Sequence, residues 1–415
     1  MQDGPKPMKF DITVVGAGPV GSYISYLLSK RGYKVALVEE DFEVGKPVQC
    51  AGLVNSRLFQ LEEVEKLREK TILHNIFGAN VYSPSGKCLP IKSGSVKANV
   101  INRSDFDREI FLLAVRDGVE PFIGYTVKSL TNFDRSPLIQ AISDSKRISF
   151  NSDLLIGCDG AGSTVRRIAK LPNPRESIPG VNAELYVNNE GPQDIVGVFT
   201  GSKVAPGFFS WAIPSGDPHT FRLGLSTSGQ GEFMSKFRSF MKSKVLSEFL
   251  GIEKGSTLPY LSLSFGTLPI GMPDRIHRGR VILLGDSAGM AKPTSGGGIF
   301  PGMLAALYLA KEIEEHGEPA PSAIDSFIDV WKEGLGKELE MSLILRRMVT
   351  EVKDNEIDKV IEKLKDDKVL NIVNEKGDID KPFQLALELL MKKPSLMYLI
   401  PRFIPYMLKL RGMRY

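Results

Sequence analysis

A chain of 415 residues is long enough to bury a large core and to form two or three domains. Its composition, 42% hydrophobic and 25% charged, is that of an ordinary globular protein, and a formal net charge of +4 argues against a nucleic-acid-binding protein. Three cysteines without paired spacing, Cys50, Cys88 and Cys158, argue against a disulfide framework or a structural zinc site and favour a reducing cytoplasm.

The first ten residues lack the apolar segment of a signal peptide. No run of about 18 uncharged apolar residues occurs in the sequence, so we expect no membrane-spanning helix. Any membrane contact is therefore expected to be peripheral.

The first clear unit runs from Asp11 to Glu39 and has the pattern of a strand, a glycine turn, a helix and a second strand that ends in an acid. Gly16 permits the tight turn, Gly18 lets the backbone approach a pyrophosphate, and Gly21 lets the helix pack close to the sheet. The positive end of the helix faces the phosphates, and a carboxylate after the second strand can accept hydrogen bonds from a ribose. The unit predicts a dinucleotide-binding site.

Two later buried strands are each followed by a turn that contains glycine and aspartate. Residues 154–158 precede Asp159, and residues 280–284 precede Asp286. Doubly wound sheets bind ligands beyond the carboxyl ends of their parallel strands. Either aspartate alone is as easily an ordinary turn residue, so their assignment to the dinucleotide site depends on the opening motif.

Short strands interrupted by Gly and Pro predict a second, sheet-based domain in the middle of the chain, and the C-terminal part is almost all helical by pattern. We predict an α/β composite, with a Rossmann-like domain built from discontinuous segments, an inserted antiparallel-sheet domain and a helical C-terminal tail. The predicted segments are 8–75, 100–175 and 269–318 for the Rossmann-like domain, 76–99 and 176–268 for the sheet domain, and 319–415 for the helical region.

The three glycine turns, with Arg103 in the segment Arg-Ser-Asp-Phe-Asp, resemble in order the motifs of flavoproteins of the para-hydroxybenzoate hydroxylase type. The resemblance implies that the cofactor is FAD and not NAD. It implies that the first turn and Glu39 hold the ADP half and that Arg103 reaches the cofactor. It places Asp159 near the pyrophosphate and Asp286 at the ribityl hydroxyls. These roles are chemically sensible, since amides and arginine suit phosphate and carboxylates accept sugar hydroxyls.

A glycine-rich turn from Pro293 to Ile299 precedes a helix and exposes several backbone N–H groups. Such a turn can stabilise negative charge on a reduced flavin, and the alternative is a flexible loop. The resemblance implies the following cofactor-binding residues: Gly16, Gly18, Gly21, Glu39, Glu40, Cys50, Ala51, Arg103, Asp159, Gly160, Gly285, Asp286, Pro293, Gly296, Gly297, Gly298 and Ile299.

Two stretches make the resemblance to geranylgeranyl reductases more specific. Pro-Gly-Phe-Phe-Ser-Trp-Ala-Ile-Pro, residues 206–214, is similar to the family pattern Pro-x-x-Tyr-x-Trp-x-Phe-Pro, with Phe209 in place of Tyr. Val-Gln-Cys-Ala-Gly-Leu, residues 48–53, is similar to the cysteine-containing segment after the family's second strand, although Ala51 departs from it. The absence of the tyrosine hydroxyl at Phe209 removes one candidate proton donor.

The resemblance covers roughly residues 10–410 and implies an FAD-dependent reductase that saturates C=C bonds of geranylgeranyl chains, in the synthesis of archaeal-type membrane lipids. It implies an isoprenoid lipid as substrate and Cys50, Phe209 and Trp211 as catalytic residues. Aromatic stripes more often fill sheet cores and a lone cysteine is usually a small buried hydrophobe, so these assignments depend on the flavin motifs. The predicted substrate-binding residues are Pro206, Phe208, Phe209, Trp211 and Pro214.

Two alternative functions stay open at this point. The stretch 209–214 also resembles the Trp-x-Trp-x-Ile-Pro signature of flavin-dependent halogenases, so an oxygen-using monooxygenase or halogenase is the main one. An inactive FAD-bearing lipid carrier is another. The electron donor is open too, because only one dinucleotide site is visible and NAD(P)H, ferredoxin or another carrier would serve. The four histidines have no ligand spacing, so no metal site is predicted.

The C-terminal residues 394–411 are dense in Leu, Ile, Met, Phe and Tyr, with arginines and a lysine between them. A basic, apolar helix of this kind can lie on a membrane surface or cap a lipid cavity. Packing against the rest of the protein is an equally good explanation. The sequence thus predicts a cytoplasmic protein and leaves open a peripheral contact with the inner face of the membrane.

Overall fold

The computed structural model describes residues 6–144, 146–228, 233–378 and 380–392. These ranges form three sheets with helices around them. The strands, in chain order, are β1 (Met8–Val15), β2 (Val35–Glu39), β3 (Leu53–Asn55), β4 (Ile72–Ile76), β5 (Gly78–Tyr82), β6 (Cys88–Lys92), β7 (Ala98–Ile101), β8 (Glu120–Ile123), β9 (Thr126–Thr131), β10 (Leu138–Ser143), β11 (Lys146–Gly157), β12 (Glu176–Tyr186), β13 (Ile195–Phe199), β14 (Ser210–Pro214), β15 (Thr220–Ser226), β16 (Tyr260–Ile270), β17 (His277–Arg278) and β18 (Val281–Leu283).

Helices lie in some of the connections between these strands and make up the C-terminal part of the described chain. The α-helices are α1 (Pro19–Lys30), α2 (Arg68–Thr71), α3 (Arg103–Arg116), α4 (Thr164–Ile168), α5 (Phe233–Met241), α6 (Lys244–Leu250), α7 (Ile299–His316), α8 (Pro321–Glu333), α9 (Leu335–Thr350), α10 (Asp354–Leu364), α11 (Asp367–Lys376) and α12 (Pro382–Lys392). Short 3₁₀ helices span Ser56–Gln60, Val64–Leu67 and Gly285–Ala288.

A largely parallel sheet forms the first layer of the fold, with the order β17-β18-β11-β1-β2-β8 and the β9–β10 hairpin joined to β11. Its central strands are rich in Val, Ile and Leu because both faces are covered, as in other doubly wound sheets. In one register row, Val15 lies opposite Val38 on one side and opposite Gly157 on the other, and Gly157 lies opposite Leu283. The four strands therefore end at the same level.

The helix α1 begins where the first strand turns and covers one face of this sheet. Pro19 at its first turn has a fixed φ that suits a helix start, and Tyr23, Ile24 and Leu27 are buried against the sheet. It also contacts α3 and α7, which belong to later parts of the chain. This packing brings distant segments together around the first glycine turn.

A second sheet has the order β16-β12-β15-β14-β13-β5-β6, with antiparallel pairs except for the parallel pair of β13 and β5. Its buried face packs against α5 and α6, with Phe237 and Phe240 in the core. The sequence pattern indicates one helix near residues 232–250, and the structure has two. The chain breaks between them because the Ser243 side chain caps α6 by accepting a hydrogen bond from Leu246 N.

The α/β composite fold predicted from the sequence is confirmed, with a discontinuous Rossmann-like sheet, an inserted sheet and a helical C-terminal region. A small third sheet has the order β3-β7-β4. In the sequence, its strands come between strands of the two large sheets. The boundaries assigned to the three domains stay a prediction. The apolar segment 394–411 lies outside the described residues, and none of the described helices is long and apolar enough to cross a bilayer.

Candidate active site

The predicted cofactor residues around Gly16, Glu39, Asp159 and Asp286 follow the four parallel strands that end in the shared register row. Three backbone hydrogen bonds tie these ends together: Gly16 N to Val38 O (2.8 Å), Cys158 N to Val15 O (2.7 Å) and Leu284 N to Gly157 O (2.9 Å). The loops that carry the first glycine turn, the Glu39 carboxylate, Asp159 and Asp286 therefore leave the sheet side by side. This is the edge at which doubly wound sheets bind their ligands.

The first glycine turn has two glycines that pack tightly and one that faces open space. Gly16 has φ near +100°, and a Cβ there would come within 2.5 Å of the Cys158 carbonyl oxygen. A Cβ on Gly21 would overlap the Gly16 carbonyl oxygen and lie 3.1 Å from Cys158 Cβ. A Cβ on Gly18, the residue that precedes α1, would meet no atom within 4 Å. Only Gly18 thus leaves room for a ligand.

Glu39 is anchored to this turn by two backbone amides. Its carboxylate accepts hydrogen bonds from Ala17 N at 2.6 Å and from Asp41 N at 3.0 Å. Burial raises the pKa of Glu39, while these amide bonds act in the opposite direction. The neighbouring Glu40 is exposed. The acid at the end of β2 is thus held at the edge of the glycine turn, as a ribose-binding carboxylate would be.

Asp159 makes its hydrogen bonds within its own turn. Its carboxylate accepts from Ser163 Oγ at 2.5 Å and from Val165 N at 2.9 Å, at the start of α4. Burial raises the pKa of Asp159, and these donors act against that increase. A Cβ on Gly160 or Gly162 would meet no atom within 4 Å, so the backbone of the turn is open where the side chain is engaged. Asp159 therefore shapes this turn, and the backbone presents the free surface.

Arg103 lies at the start of α3 and forms a two-point ion pair with Asp107, one helical turn later. Nε and Nη2 donate to the two carboxylate oxygens at 3.1 and 2.9 Å. Burial disfavours its charge, but Asp107 and Cys50 outweigh that effect and raise the pKa of Arg103. The positive charge of Arg103 also acts to lower the pKa of the Asp286 carboxyl. The structure therefore brings Cys50, Arg103 and Asp286 together from three separated segments.

Asp286 has no hydrogen-bond donor among the described residues. It begins a 3₁₀ helix after β18, and its Oδ1 lies where a Cβ on Gly298 would be. Burial raises the pKa of Asp286 to about 6, and the charge of Arg103 opposes that increase. A carboxylate in this state gains most from donors that a ligand brings, such as sugar hydroxyls.

The glycine loop 293–298 is closed by two backbone hydrogen bonds at Lys292. Lys292 N donates to Gly297 O at 3.1 Å, and Gly296 N donates to Lys292 O at 2.8 Å. The Lys292 side chain runs beneath the loop, with Cε 2.8 Å from the position of a Gly297 Cβ. Its ammonium donates to Asp380 Oδ1 at 2.6 Å, and both side chains are buried. The C-terminal region therefore supports this loop directly.

Arg57 extends this network. Its Nη2 lies 2.6 Å from Asp380 Oδ2 and 2.7 Å from Asp378 Oδ1, and its guanidinium stacks over Phe300 in the first turn of α7. Sequence reasoning missed Arg57, Lys292 and Asp380. Lys292 directly precedes the predicted loop. A lysine within a run of small residues is the sequence feature that could have indicated its role. No local pattern marks Asp380, because its partners come from other parts of the chain.

The predicted substrate stretch lies against the glycine loop. The rings of Phe208 and Phe209 stack at 4.5 Å, and Phe209 meets Trp211 edge to face at 6.1 Å. Phe208 Cζ lies 3.5 Å from the position of a Gly296 Cβ. We call Phe208, Phe209 and Trp211 the aromatic wall. A proline stands at each end of the predicted substrate stretch. Pro206 O accepts a hydrogen bond from Ser228 N, and Pro214 is the last residue of β14.

Two polar side chains that the sequence did not indicate hold this part of the site. Trp211 Nε1 donates to Asn182 Oδ1 at 3.2 Å, so the indole N–H has a partner within the sheet. Arg222 Nη1 donates to Ala51 O at 2.9 Å and to Ile101 O at 3.0 Å. Cys50 is thereby fixed between a clamped neighbour and the Gly52 amide, which donates to its Sγ at 3.4 Å.

These residues fit FAD by their chemistry. Open backbone at Gly18, Gly160 and Gly162 can accept a pyrophosphate at the N-terminus of α1, where the helix dipole favours negative charge. Glu39 and Asp286, whose carboxylate has no hydrogen-bond donor in the described part of the chain, can accept ribose and ribityl hydroxyls. The individual roles of the predicted site residues stay predictions.

The fold and this site define the class: a flavoprotein whose dinucleotide-binding sheet is assembled from separated chain segments. The sequence profile described as FAD binding domain matches residues 9–327. The chain belongs to the FAD binding domain family, and the FAD cofactor predicted from the sequence is confirmed. It is an FAD-dependent oxidoreductase.

Relatives and solved structures confirm the resemblance to geranylgeranyl reductases. A digeranylgeranylglycerophospholipid reductase from Methanothrix thermoacetophila is 28% identical over 374 residues, which are 87% of this chain and 93% of that protein. A geranylgeranyl bacteriochlorophyll reductase-like structure from Thermoplasma acidophilum has TM-score 0.81 and 20% identity, covering 96% of this chain and 100% of its own. The p-nitrophenol 4-monooxygenase from Pseudomonas putida DLL-E4 has TM-score 0.70 and 17% identity, covering 89% and 97%. Both structures are similar in fold.

The first glycine turn allows a test that separates packing from ligand binding. Gly18→Ser adds a good helix cap in open space, so we expect the apoprotein to keep its stability within about 0.5 kcal/mol. FAD affinity should fall at least about tenfold, because the new side chain occupies the approach of the pyrophosphate. Gly21→Ala should cost about 1–3 kcal/mol of apoprotein stability by overlap with Gly16. Urea unfolding and FAD fluorescence titration measure these quantities, and an equal destabilisation by both changes would contradict the assignment.

The raised pKa of Asp286 predicts a pH dependence with a definite sign. Because the folded protein holds this proton more tightly than the unfolded chain, the contribution to apoprotein stability is lost as pH rises from about 4 to about 6. Asp286→Asn should therefore gain stability relative to the wild type, from near zero at pH 4 to at most about 3 kcal/mol at pH 7. Urea unfolding at pH 4.5, 6 and 7.5 measures the difference, and a difference independent of pH would contradict the prediction.

The network beneath the glycine loop predicts unequal effects for two aspartates. Asp380→Asn leaves Lys292 buried without a counter-charge and should cost about 3–5 kcal/mol, whereas Asp378→Asn, a partly exposed partner of Arg57, should cost at most about 1 kcal/mol. The double variant Lys292→Met/Asp380→Asn should recover most of the loss. Urea unfolding of all three variants tests this, and equal losses in the two single variants would rule it out.

Proposed function

We propose that this oxidoreductase saturates C=C bonds in the geranylgeranyl chains of a glycerophospholipid. One observation carries the proposal: the aromatic wall lies beside the glycine loop, with Phe208 Cζ 3.5 Å from the position that a Cβ on Gly296 would take. An apolar surface at the cofactor loop suits a substrate whose reacting bond lies in a hydrocarbon chain. The name of the Methanothrix relative, a digeranylgeranylglycerophospholipid reductase, supports the same substrate class.

When bound and reduced, FAD would supply a hydride, which carries the electron pair and one of the two hydrogens added to the double bond. The aromatic wall contributes binding and orientation, since each buried CH₂ of a prenyl chain gains about 0.8 kcal/mol. Trp211 acts in this proposal as a wall and not as a proton donor, because its N–H is held by Asn182. Phe209, which has no exchangeable proton, serves the same purpose.

Saturation of an isolated alkene also requires a proton, because such a bond accepts electrons poorly on its own. Of the three predicted catalytic residues, Cys50 is the one that carries a suitable proton. The Gly52 amide at 3.4 Å and the nearby Arg103 guanidinium provide positive charge next to its sulfur. We therefore assign proton delivery to Cys50 in this proposal, and the substrate and a reduced electron carrier are the expected partners.

An oxygen-using reaction is the second candidate, favoured by the fold shared with a monooxygenase and by the halogenase-like stretch 209–214. Such a reaction requires O₂, whereas reduction of a double bond does not. Anaerobic turnover therefore separates the two.

The test is a single turnover without O₂. Holoenzyme reduced with dithionite is mixed with a geranylgeranyl phospholipid, and the lipid is analysed by mass spectrometry. We expect gains of two mass units for each bond reduced, and an at least tenfold lower rate for Cys50→Ala, since general acid catalysis typically contributes about 10²–10⁴-fold. Cys88→Ala, in the second sheet, is the control and should keep the wild-type rate. A product that forms only when O₂ is admitted would contradict the reductase proposal.

A further inference from the structure

Two consecutive arginines in α9 share a single carboxylate at the start of β12. Arg346 Nε donates to Glu176 Oε2 at 3.2 Å, and Arg347 Nε donates to Glu176 Oε1 at 3.1 Å. The side chain of Arg346 is 5% exposed and that of Arg347 is 37% exposed. Water can therefore solvate Arg347, whereas the side chain of Arg346 is largely shielded from solvent.

The charges around Arg346 do not balance. Two guanidinium groups face one carboxylate, which leaves one positive charge in excess. Burial lowers the pKa of Arg346, Glu176 opposes this, and Arg347 adds to it. Among the described residues Glu176 is its one hydrogen-bond acceptor, through Nε, and the two terminal nitrogens have no acceptor there. Buried charges are normally paired, so this position is short of one anion.

This unbalanced charge lies at one end of the aromatic wall. Arg346 Cζ is 4.8 Å from the centre of the Phe208 ring, on which Phe209 stacks. Leu343, one turn earlier in α9, is buried with Ile178 and holds the helix against the second sheet. The packing thus fixes a cation where the apolar surface ends.

We propose that the free edge of the Arg346 guanidinium binds the phosphate group of an isoprenoid lipid whose hydrocarbon chain lies along the aromatic wall. The proposal rests on the proposed function and adds the residue that recognises the substrate's phosphate. A guanidinium presents two parallel N–H donors that match two phosphate oxygens, and the ligand's negative charge restores the balance that Glu176 leaves incomplete. The prenyl chain and the phosphate are then recognised by adjoining apolar and cationic surfaces.

The test compares two substrates with the same chain, geranylgeranyl phosphate and geranylgeraniol. For Arg346→Gln we expect kcat/KM for the phosphate to fall at least tenfold, mainly through KM, while the value for the alcohol changes less than twofold. Arg346→Lys, which keeps the charge, should recover part of the loss. Arg175→Gln is the matched control, because Arg175 is a neighbouring cation with its own partner, Asp274, and it should leave the ratio of the two substrates unchanged.

Equal losses on both substrates would show that Arg346 only holds α9 in place, and no loss on either would also overturn the proposal. Equilibrium binding to oxidised holoenzyme, followed by calorimetry, keeps the test independent of turnover. Arg346→Gln should weaken geranylgeranyl phosphate at least tenfold even if no double bond is reduced, in which case the proposed function fails and the anion site stands. If inorganic phosphate binds as tightly as geranylgeranyl phosphate, the ligand is free phosphate and the lipid assignment is wrong.

Discussion

The shared end of four parallel strands is the constraint on which the site depends. Val38, Val15, Gly157 and Leu283 occupy one register row, so loops from widely separated parts of the chain leave the sheet together. A slip of one residue in any of these strands would move its buried side chains to the opposite face. Because both faces of the sheet are covered by apolar packing, the core that stabilises the fold also sets the positions of the cofactor loops.

The site holds charges that the protein alone does not satisfy, and they differ in sign at its two ends. Within the ranges that the structure describes, Asp286 is a carboxylate without a donor next to the glycine loop, and Arg346 is a guanidinium without a full counter-charge at the aromatic wall. Each is unfavourable in the folded protein without ligand. Natural proteins keep such costs at binding sites, where a ligand of the opposite character removes them. In a chain of this size, the free energy gained by burying the large apolar core offsets the cost of these two charges.

The features predictable from the sequence are those that local chemistry determines. The turn around Gly16 and the acid at Glu39 lie within one strand-helix-strand unit, so their spacing predicted a dinucleotide-binding unit, and the family resemblance identified the dinucleotide as FAD. The aromatic wall and the glycine loop were each assigned a role through a family resemblance, and their proximity in the structure results from tertiary packing. The pairing of Lys292 with Asp380 spans 88 positions and that of Arg346 with Glu176 spans 170. Such pairs carry no local pattern, because tertiary packing alone makes them neighbours.

The support of the glycine loop by Asp380 has a consequence for synthesis of the protein. During translation the loop leaves the ribosome long before Asp380 does, and domains fold from the N-terminus onwards. Until Asp380 has been synthesised, the Lys292 ammonium lacks its buried counter-charge, and the glycine loop lacks the support of this ion pair. Synthesis as far as Asp380 is therefore needed before the glycine loop has its full support. A chain that stops before Asp380 could still form the glycine turn near Gly16, but the Lys292 ammonium would lack this partner.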